Sequence, residues 1–419
     1  VARALSDKAR ERALSDTARE RAHRKGVEGA GGPRPEVAPE AAPVRLVGSR
    51  RGVDAGLVVE AGFPVTLVPG RGLVRRLSLA NVAAVAGIVA ATCWCTVLLA
   101  RWRPRVVVAV GGYACVPCAL AAVVLRVPLV VVNVDAVPGA ANRLLSRFAR
   151  ASAVAFEGTP MPRSVVTGAP VRPEVAEAAA LGRDAARRAL GVPADRTLVL
   201  SVGGSLGSRR INEAVIGLAE RWSGRREVAL RQVVGRRDWP LLSPRAARLG
   251  AQLLSGQEGQ ETGQAGDPAA WRDVAPGPPE APGGLFYQAV EYEQAMPLAL
   301  AAADLVVSRA GAVTVAELCV AARPAVLVPL PGAPGDHQTA NASMLTRAGG
   351  ALTLADADCT AEGLAALLEP MLADRDRRCH MGRVAGGLAR PEAATAVAEL
   401  AARLAEKDAR ADSGQPKAG

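Results

Sequence analysis

Short β-branched runs alternate with Ala- and Leu-rich stretches along most of this 419-residue chain, and that alternation constrains the fold more than any single motif. Val44–Val47, Val65–Val68, Val106–Val110, Leu129–Asn133 and Ala153–Phe156 read as strands of one series. Thr197–Val202, Val228–Val234, Leu305–Ser308 and Ala325–Val328 read as strands of a second. Continuous apolar runs of this length suit parallel strands covered by helices on both faces. The chain is too long for one ordinary core and suits two. Between the series, residues 165–172 (Val-Val-Thr-Gly-Ala-Pro-Val-Arg) read as an extended connector leading to a helix over Arg183–Leu190. The expected architecture is α/β, two Rossmann-like domains facing across a cleft.

The expected boundaries follow from shifts in composition. Residues 1–42 form a charged, repeat-bearing tail and linker, 43–165 an amino-terminal domain and 166–390 a carboxy-terminal domain. A final helix over 391–407 is expected to pack back on the amino-terminal domain, with a polar tail at 408–419. Within the second domain, residues 255–284 are rich in Gln, Gly and Pro without periodicity and read as a disordered insertion.

Half the residues are hydrophobic but only 3% are aromatic, so the core must be built from Ala, Val and Leu. A net charge of +11 suits a phosphate-bearing ligand, an anionic membrane surface or nucleic acid. The basic residues are nearly all Arg, with Lys only at Lys8, Lys25, Lys407 and Lys417, a skew that codon bias alone can produce. Charge is therefore weak evidence, and no nucleic-acid partner is expected. The seven cysteines make no paired framework, and Cys115 and Cys118 read as small residues at a helix start in a reduced, cytoplasmic protein. No second ligand pair accompanies them, so no metal site is expected. The first residues alternate Arg, Asp and Glu and do not resemble a secretory signal. Val82–Ala100 carries no charge and is flanked by Arg75, Arg76, Arg101, Arg103 and Arg105. Its length could just span a bilayer. Its Ala and Gly content, and the strand that follows at once, favour a sheet-covering helix with an apolar face on an anionic membrane surface.

Three segments carry chemistry. In the first, a buried strand runs into Gly203, Gly204, Ser205, Leu206 and Gly207 and then into a helix. Glycines let a backbone approach an anion, and a helix start offers free N–H groups to phosphate; a ligand-free tight turn has the same pattern. In the second, the strand Leu305–Ser308 leads through small residues to Ala312, Val313, Thr314, Val315, Ala316 and Glu317. Glu317 could accept hydrogen bonds from vicinal hydroxyls, or serve only as a helix-start charge. In the third, a loop after Val328 gathers Asp336, His337, Gln338 and Asn341, side chains suited to reading sugar hydroxyls.

These segments, together with Gly111-Gly112-Tyr113, Ala136-Val-Pro-Gly-Ala-Ala-Asn142 and Thr167-Gly-Ala-Pro-Val-Arg172, resemble the MurG family in the family's order, over about residues 44–400. The resemblance implies the GT-B fold. It also implies an inverting transferase that moves N-acetylglucosamine from UDP-N-acetylglucosamine to lipid I, an undecaprenyl-linked muramyl-peptide, making lipid II. The place of action would be peripheral, on the cytoplasmic face of the cell membrane. Carried over, Ser205 and its neighbours Gly203, Gly204, Leu206 and Gly207 hold the diphosphate, Glu317 the ribose, and the turn from Ala312 through Thr314 into Val315 and Ala316 borders the uracil. His337, Gln338 and Asn341 contact the donor sugar, and Arg172 sits at the domain hinge. Gly111, Gly112, Tyr113, Asp135 and Asn142 form the acceptor side. No metal or other cofactor is implied, since N–H groups and a helix dipole can stabilise departing UDP.

Three departures fall in the amino-terminal half. The family's opening G-G-T-x-G-H loop does not precede Val44, so that domain is expected to lack its first strand and Gly-rich loop. Asp135 stands where the family has an amide, and Ala169 where it has Asn. Asp135 is the candidate base. Two readings follow: an active transferase with a rearranged acceptor side, or an impaired or truncated paralogue that keeps UDP-sugar binding. A UDP-sugar epimerase fits the motif order less well, and a nicotinamide dehydrogenase fits the glycine spacing less well.

Overall fold

The computed structural model describes residues 1–8, 44–49, 63–68, 79–112, 115–204, 207–255 and 284–412, the side chains of 49, 79–85 and 408–412 excepted. The readings of residues 9–43, 256–283 and 413–419 as tail, insertion and tail lie outside these. The chain divides into two compact units. One comprises residues 1–133, 138–167 and 392–419, the other 134–137 and 168–391.

The first unit begins with β1 (Leu46–Ser49) and β2 (Val65–Val68), a parallel pair. Next comes α1 (Leu79–Trp102), then β3 (Val107–Ala109), α2 (Cys115–Val124), β4 (Leu129–Asn133), α3 (Ala140–Ser146), β5 (Ala151–Val154) and β6 (Ser164–Val166). β3, β4, β5 and β6 form a parallel sheet in that order. β4 is buried along its whole length, as expected for an unbroken Val run inside a parallel sheet. The helix Ala393–Asp412 belongs to this unit and packs on β5.

The uncharged stretch forms α1. Ala91, Cys95 and Leu99, four residues apart, make its buried stripe and pack with Cys118, Ala121 and Ala122 of α2. Val89, Trp94 and Val97 on other faces are exposed, Val97 by 62%. Arg103, in the left-handed region at φ +50°, and Pro104 end the helix. Among the described residues no helix is long and apolar enough to cross a membrane.

Three expectations here need correction. β1 starts at Leu46, not Val44, because pairing begins where Leu46 meets Val65. β5 starts at Ala151, not Ala153, because pairing begins where Val130 meets Ala151. The first residues of the supposed connector complete β6, whose Val165 and Val166 pair with Ala153 and Val154.

The second unit opens with α4 (Pro173–Leu181), Pro173 at the position where a helix needs no N–H, and α5 (Arg183–Ala189). There follow β7 (Thr197–Val202), α6 (Arg209–Arg221), β8 (Val228–Val233), α7 (Trp239–Arg248), β9 (Gln252–Leu254), β10 (Phe286–Val290) and α8 (Met296–Ala302). Then come β11 (Leu305–Ser308), α9 (Ala312–Val320), β12 (Ala325–Leu327), α10 (His337–Ala348) and β13 (Ala351–Thr353). The parallel sheet runs β13-β12-β11-β7-β8-β10-β9. From β7 the chain builds outward through β8 and β10, then returns to lay β11 on the other side. The helices that follow β7 and β11 therefore diverge, leaving a crevice at the carboxyl ends of the central strands. Apolar cores lie on both faces, one around Trp222, Leu230 and Val307, the other around Leu200, Val306 and Leu327.

Candidate functional site

Glycine sets the loop after β7. A Cβ on Gly203 would stand 2.3 Å from the Ser208 nitrogen, and one on Gly207 (φ +75°) 2.6 Å from the Val234 carbonyl. Gly203 therefore lies against the helix start and Gly207 against the residue that follows β8, positions that a side chain would block. Ser205 and Leu206 lie outside the described residues. Ser208 occupies the cap position of α6 with its Oγ buried and, among the described residues, unpartnered, so the first N–H groups of the helix have no side-chain cap. Asn212, fully buried, donates 2.7 Å to the Val234 carbonyl and ties α6 to the end of β8.

After β11, Gly311 starts α9. Glu317 lies about one turn into that helix, largely buried, and accepts a hydrogen bond from Arg172 at 3.1 Å. Burial pushes the Glu317 carboxyl above its ordinary range, and the Arg172 guanidinium opposes that rise. The expected ribose residue and the expected hinge residue are thus direct partners. The side chains of Ala312 and Val315 are packed in the core, whereas Val313 is exposed. The outward face of this turn is therefore narrower than the expected run from Ala312 to Ala316, because helical periodicity turns every third or fourth residue to the same, here inward, face.

After β12, Gln338 Oε1 accepts from the Ala310 and Leu330 nitrogens at 3.2 and 2.9 Å, tying two crevice loops together. The Pro334 carbonyl lies 2.9 Å from His337 Nδ1 and, being an acceptor, selects the Nδ1–H tautomer; Nε2 is left to accept. Asn341 departs from expectation. It is fully buried, its Oδ1 accepts from the Ala136 nitrogen at 2.8 Å, and its Nδ2 donates to Asp135 Oδ1 and the Ala310 carbonyl at 3.0 and 3.2 Å. With these bonds made it is a cross-link within the second unit. Asp135 belongs to that unit too, since residues 134–137 group with it.

In the first unit, Gly111 and Gly112 follow β3 with φ of +98° and +78°. Asn142 donates to the Val132 carbonyl and Asn133 Oδ1 at 3.2 and 3.0 Å, while its own Oδ1 is buried without a partner among the described residues. A Cβ on Gly111 would lie 3.6 Å from that oxygen. Three of the expected acceptor residues are thereby neighbours; Tyr113 lies outside the described residues. Cys115 Sγ donates to the Gly112 carbonyl at 3.0 Å. A hydrogen bond with Cys95, then burial, pushes the Cys118 thiol well above its ordinary value.

One cluster beside the β7 loop went unread in the sequence. Asp238, after β8, is fully buried and holds Arg209 and Arg237. Its only signal was an Arg directly following the Gly-rich loop and an Arg-Asp pair after the next strand.

Residues 35–154 match the glycosyltransferase family 28 N-terminal domain and residues 262–402 its C-terminal domain. The chain is 34% identical to the UDP-N-acetylglucosamine–N-acetylmuramyl-(pentapeptide) pyrophosphoryl-undecaprenol N-acetylglucosamine transferase of Desulforudis audaxviator, over 87% of this chain and 91% of that one. It is 35% identical to the like-named protein of a Nocardioides species, over 86% and 89%. The crystal structure of Acinetobacter baumannii MurG matches at a TM-score of 0.64 and 26% identity, covering 86% of this chain and 91% of that one. This chain belongs to the MurG family. As in the MurG structure, the fold is GT-B. A Neisseria meningitidis UDP-GlcNAc 2-epimerase bound to UDP-GlcNAc matches at a TM-score of 0.55 but 11% identity, a likeness of fold alone. MurG membership thus agrees with the order in which the loops after β7, β11 and β12 meet at one end of the sheet.

Proposed function

We propose that the chain is an inverting transferase that moves N-acetylglucosamine from UDP-N-acetylglucosamine to lipid I, forming lipid II. The supporting observation is the meeting, at the β7–β11 crevice, of an uncapped helix start behind a glycine loop with Glu317, itself buried and paired with the half-exposed Arg172. A diphosphate over Gly203, Gly204 and Gly207 would receive N–H donors and the positive end of α6. Charge builds on the UDP oxygens as the glycosidic bond breaks, so donors fixed beforehand stabilise the transition state more than the ground state. Glu317 would accept from the ribose diol, and Arg172 would keep it ionised. His337 Nε2 and Gln338 Nε2 would meet sugar hydroxyls, beside Val313 and Thr314.

The acceptor's C4 hydroxyl attacks C1 from the face opposite UDP, its proton passing to a base. Asp135 is the candidate, oriented by Asn341. Asn142 Oδ1, beside Gly111 and Gly112, can take a hydrogen bond from an N–H or O–H of the muramyl-peptide. No metal or other cofactor enters this scheme. The exposed apolar residues of α1, near Arg101, Arg103 and Arg105, would seat the protein peripherally on an anionic membrane at its cytoplasmic face. The test is sugar transfer from UDP-N-acetylglucosamine to a lipid I analogue, read as released UDP and lengthened product. Turnover is expected; folded protein that binds UDP without turnover would replace this reading with the impaired paralogue.

A further inference from the structure

The charged cluster beside the β7 loop has an arrangement that packing does not require. Arg237 grips the buried Asp238 side-on, Nε to Oδ1 and Nη2 to Oδ2, both at 3.2 Å. Arg209 donates to the same Oδ1 through Nε and Nη2, at 3.3 and 3.2 Å. Asn212 Nδ2 donates to Oδ2 at 3.3 Å. Behind Asn212, Gln232 Nε2 donates to its carbonyl and Oδ1, and the Tyr287 hydroxyl donates to Gln232 Oε1. Burial alone would raise the pKa of Asp238, but its two arginines outweigh burial and hold it below the ordinary carboxylate range.

The carboxylate is inaccessible while its cations are not: the Arg209 and Arg237 side chains are 54% and 57% exposed. Two guanidiniums on one carboxylate leave one net positive charge at the loop. Arg209 is the first residue of α6, and Arg237 Nη2 stands 3.5 Å from the Gly207 carbonyl, so both flank the glycine turn. An independent observation points to a ligand there. Ser208, between the loop and Arg209, is 5% exposed, and its Oγ has no partner among the described residues.

We propose that Arg209 and Arg237 contact the diphosphate of the nucleotide donor, and that Asp238 is a positioning residue that holds their forks toward it. This rests on the donor reading above. A guanidinium fork fixed by a carboxylate presents its remaining N–H groups in one geometry, which suits the charge that grows on a leaving diphosphate.

The test titrates the full chain with UDP and with uridine by calorimetry at two salt concentrations. The wild type is expected to bind UDP more tightly than uridine. Arg209→Ala and Arg237→Ala should each weaken UDP about tenfold, a typical loss for one charge-assisted bond, flatten its salt dependence and leave uridine unchanged. Arg237→Lys should not restore it, because a point charge lacks the fork. Asp238→Asn should weaken UDP alone; if that variant fails to fold, the exposed arginines carry the test. Arginine variants that bind UDP as tightly as wild type, or that lose uridine and UDP together, overturn the proposal. A wild type that binds neither ligand overturns it along with the donor reading.

Discussion

Replacing Glu317 separates its part in the fold from its part in binding. Its carboxylate is largely buried and, among the described residues, is paired at 3.1 Å with Arg172, whose own side chain is 53% exposed. An ion pair with so exposed a partner adds at most about 1 kcal/mol to stability. Against this stands the cost of keeping a charge in a desolvated place, seen as a pKa raised by burial. A carboxyl whose folded pKa exceeds its unfolded value binds more protons when folded, so its contribution to stability falls as pH rises through the interval between the two. At neutral pH the charge therefore works against the fold, and Glu317→Gln, which keeps the shape and removes the charge, should melt no lower than wild type. Donor binding should respond in the opposite sense. Loss of one charge-assisted bond to the ribose removes about 1.5–3 kcal/mol, on the order of ten- to a hundredfold in UDP affinity. The wild type should also lose UDP affinity on acidification earlier than an ordinary carboxyl would, and the Gln variant should not. Calorimetric UDP titrations paired with melting curves provide the measurement. A Gln variant that binds UDP like wild type refutes the ribose role, and one that melts far lower refutes the electrostatic reasoning.

Two further outcomes are expected. Asp304 holds the buried Arg187 and, through the Leu198 nitrogen at 2.7 Å, ties β11 to β7 at their amino ends. Asp304→Ala strands that guanidinium and should cost about 3–5 kcal/mol. Melting should show the loss, with UDP affinity of the remaining folded protein unchanged, since the crevice is at the other end of the strands. On α1, Val97→Asp should cut co-sedimentation with anionic vesicles severalfold by removing one apolar contact, worth about 1.5 kcal/mol or more, and adding a repelled charge. Its melting temperature should hold because Val97 is exposed in the folded chain.

How much could be read in advance depended on whether a residue's role was settled locally. β7 and β11, which position the two main loops, were bounded correctly because Thr197–Val202 and Leu305–Ser308 are uninterrupted apolar runs between turn residues. β10 went unseen because Gln288 breaks its pattern, and that polar side chain is satisfied by partners distant in sequence: Arg231 donates to its Oε1, and its Nε2 donates to the Leu190 carbonyl and Gln252 Oε1. β6, β9 and β13 are three-residue strands at or near sheet edges, too short to show a period. α4 was missed although Pro173 after an extended Arg172 marks a helix start. In the site, glycine loops were legible because their conformational demand is local. The Arg172–Glu317 pair, 145 positions apart, and the Asp238 cluster required the folded sheet to bring them together. Asn341 looked like a ligand residue because it stood among polar neighbours; its burial follows from the turn of α10 toward Ala310.

A crystal structure of the chain with UDP decides whether the crevice of the second unit is a UDP-sugar site. The diphosphate is expected over Gly203, Gly204 and Gly207 at the start of α6, with the ribose diol within hydrogen-bond distance of Glu317. UDP bound elsewhere, or lying in the crevice with Glu317 still engaged only by Arg172, would contradict it.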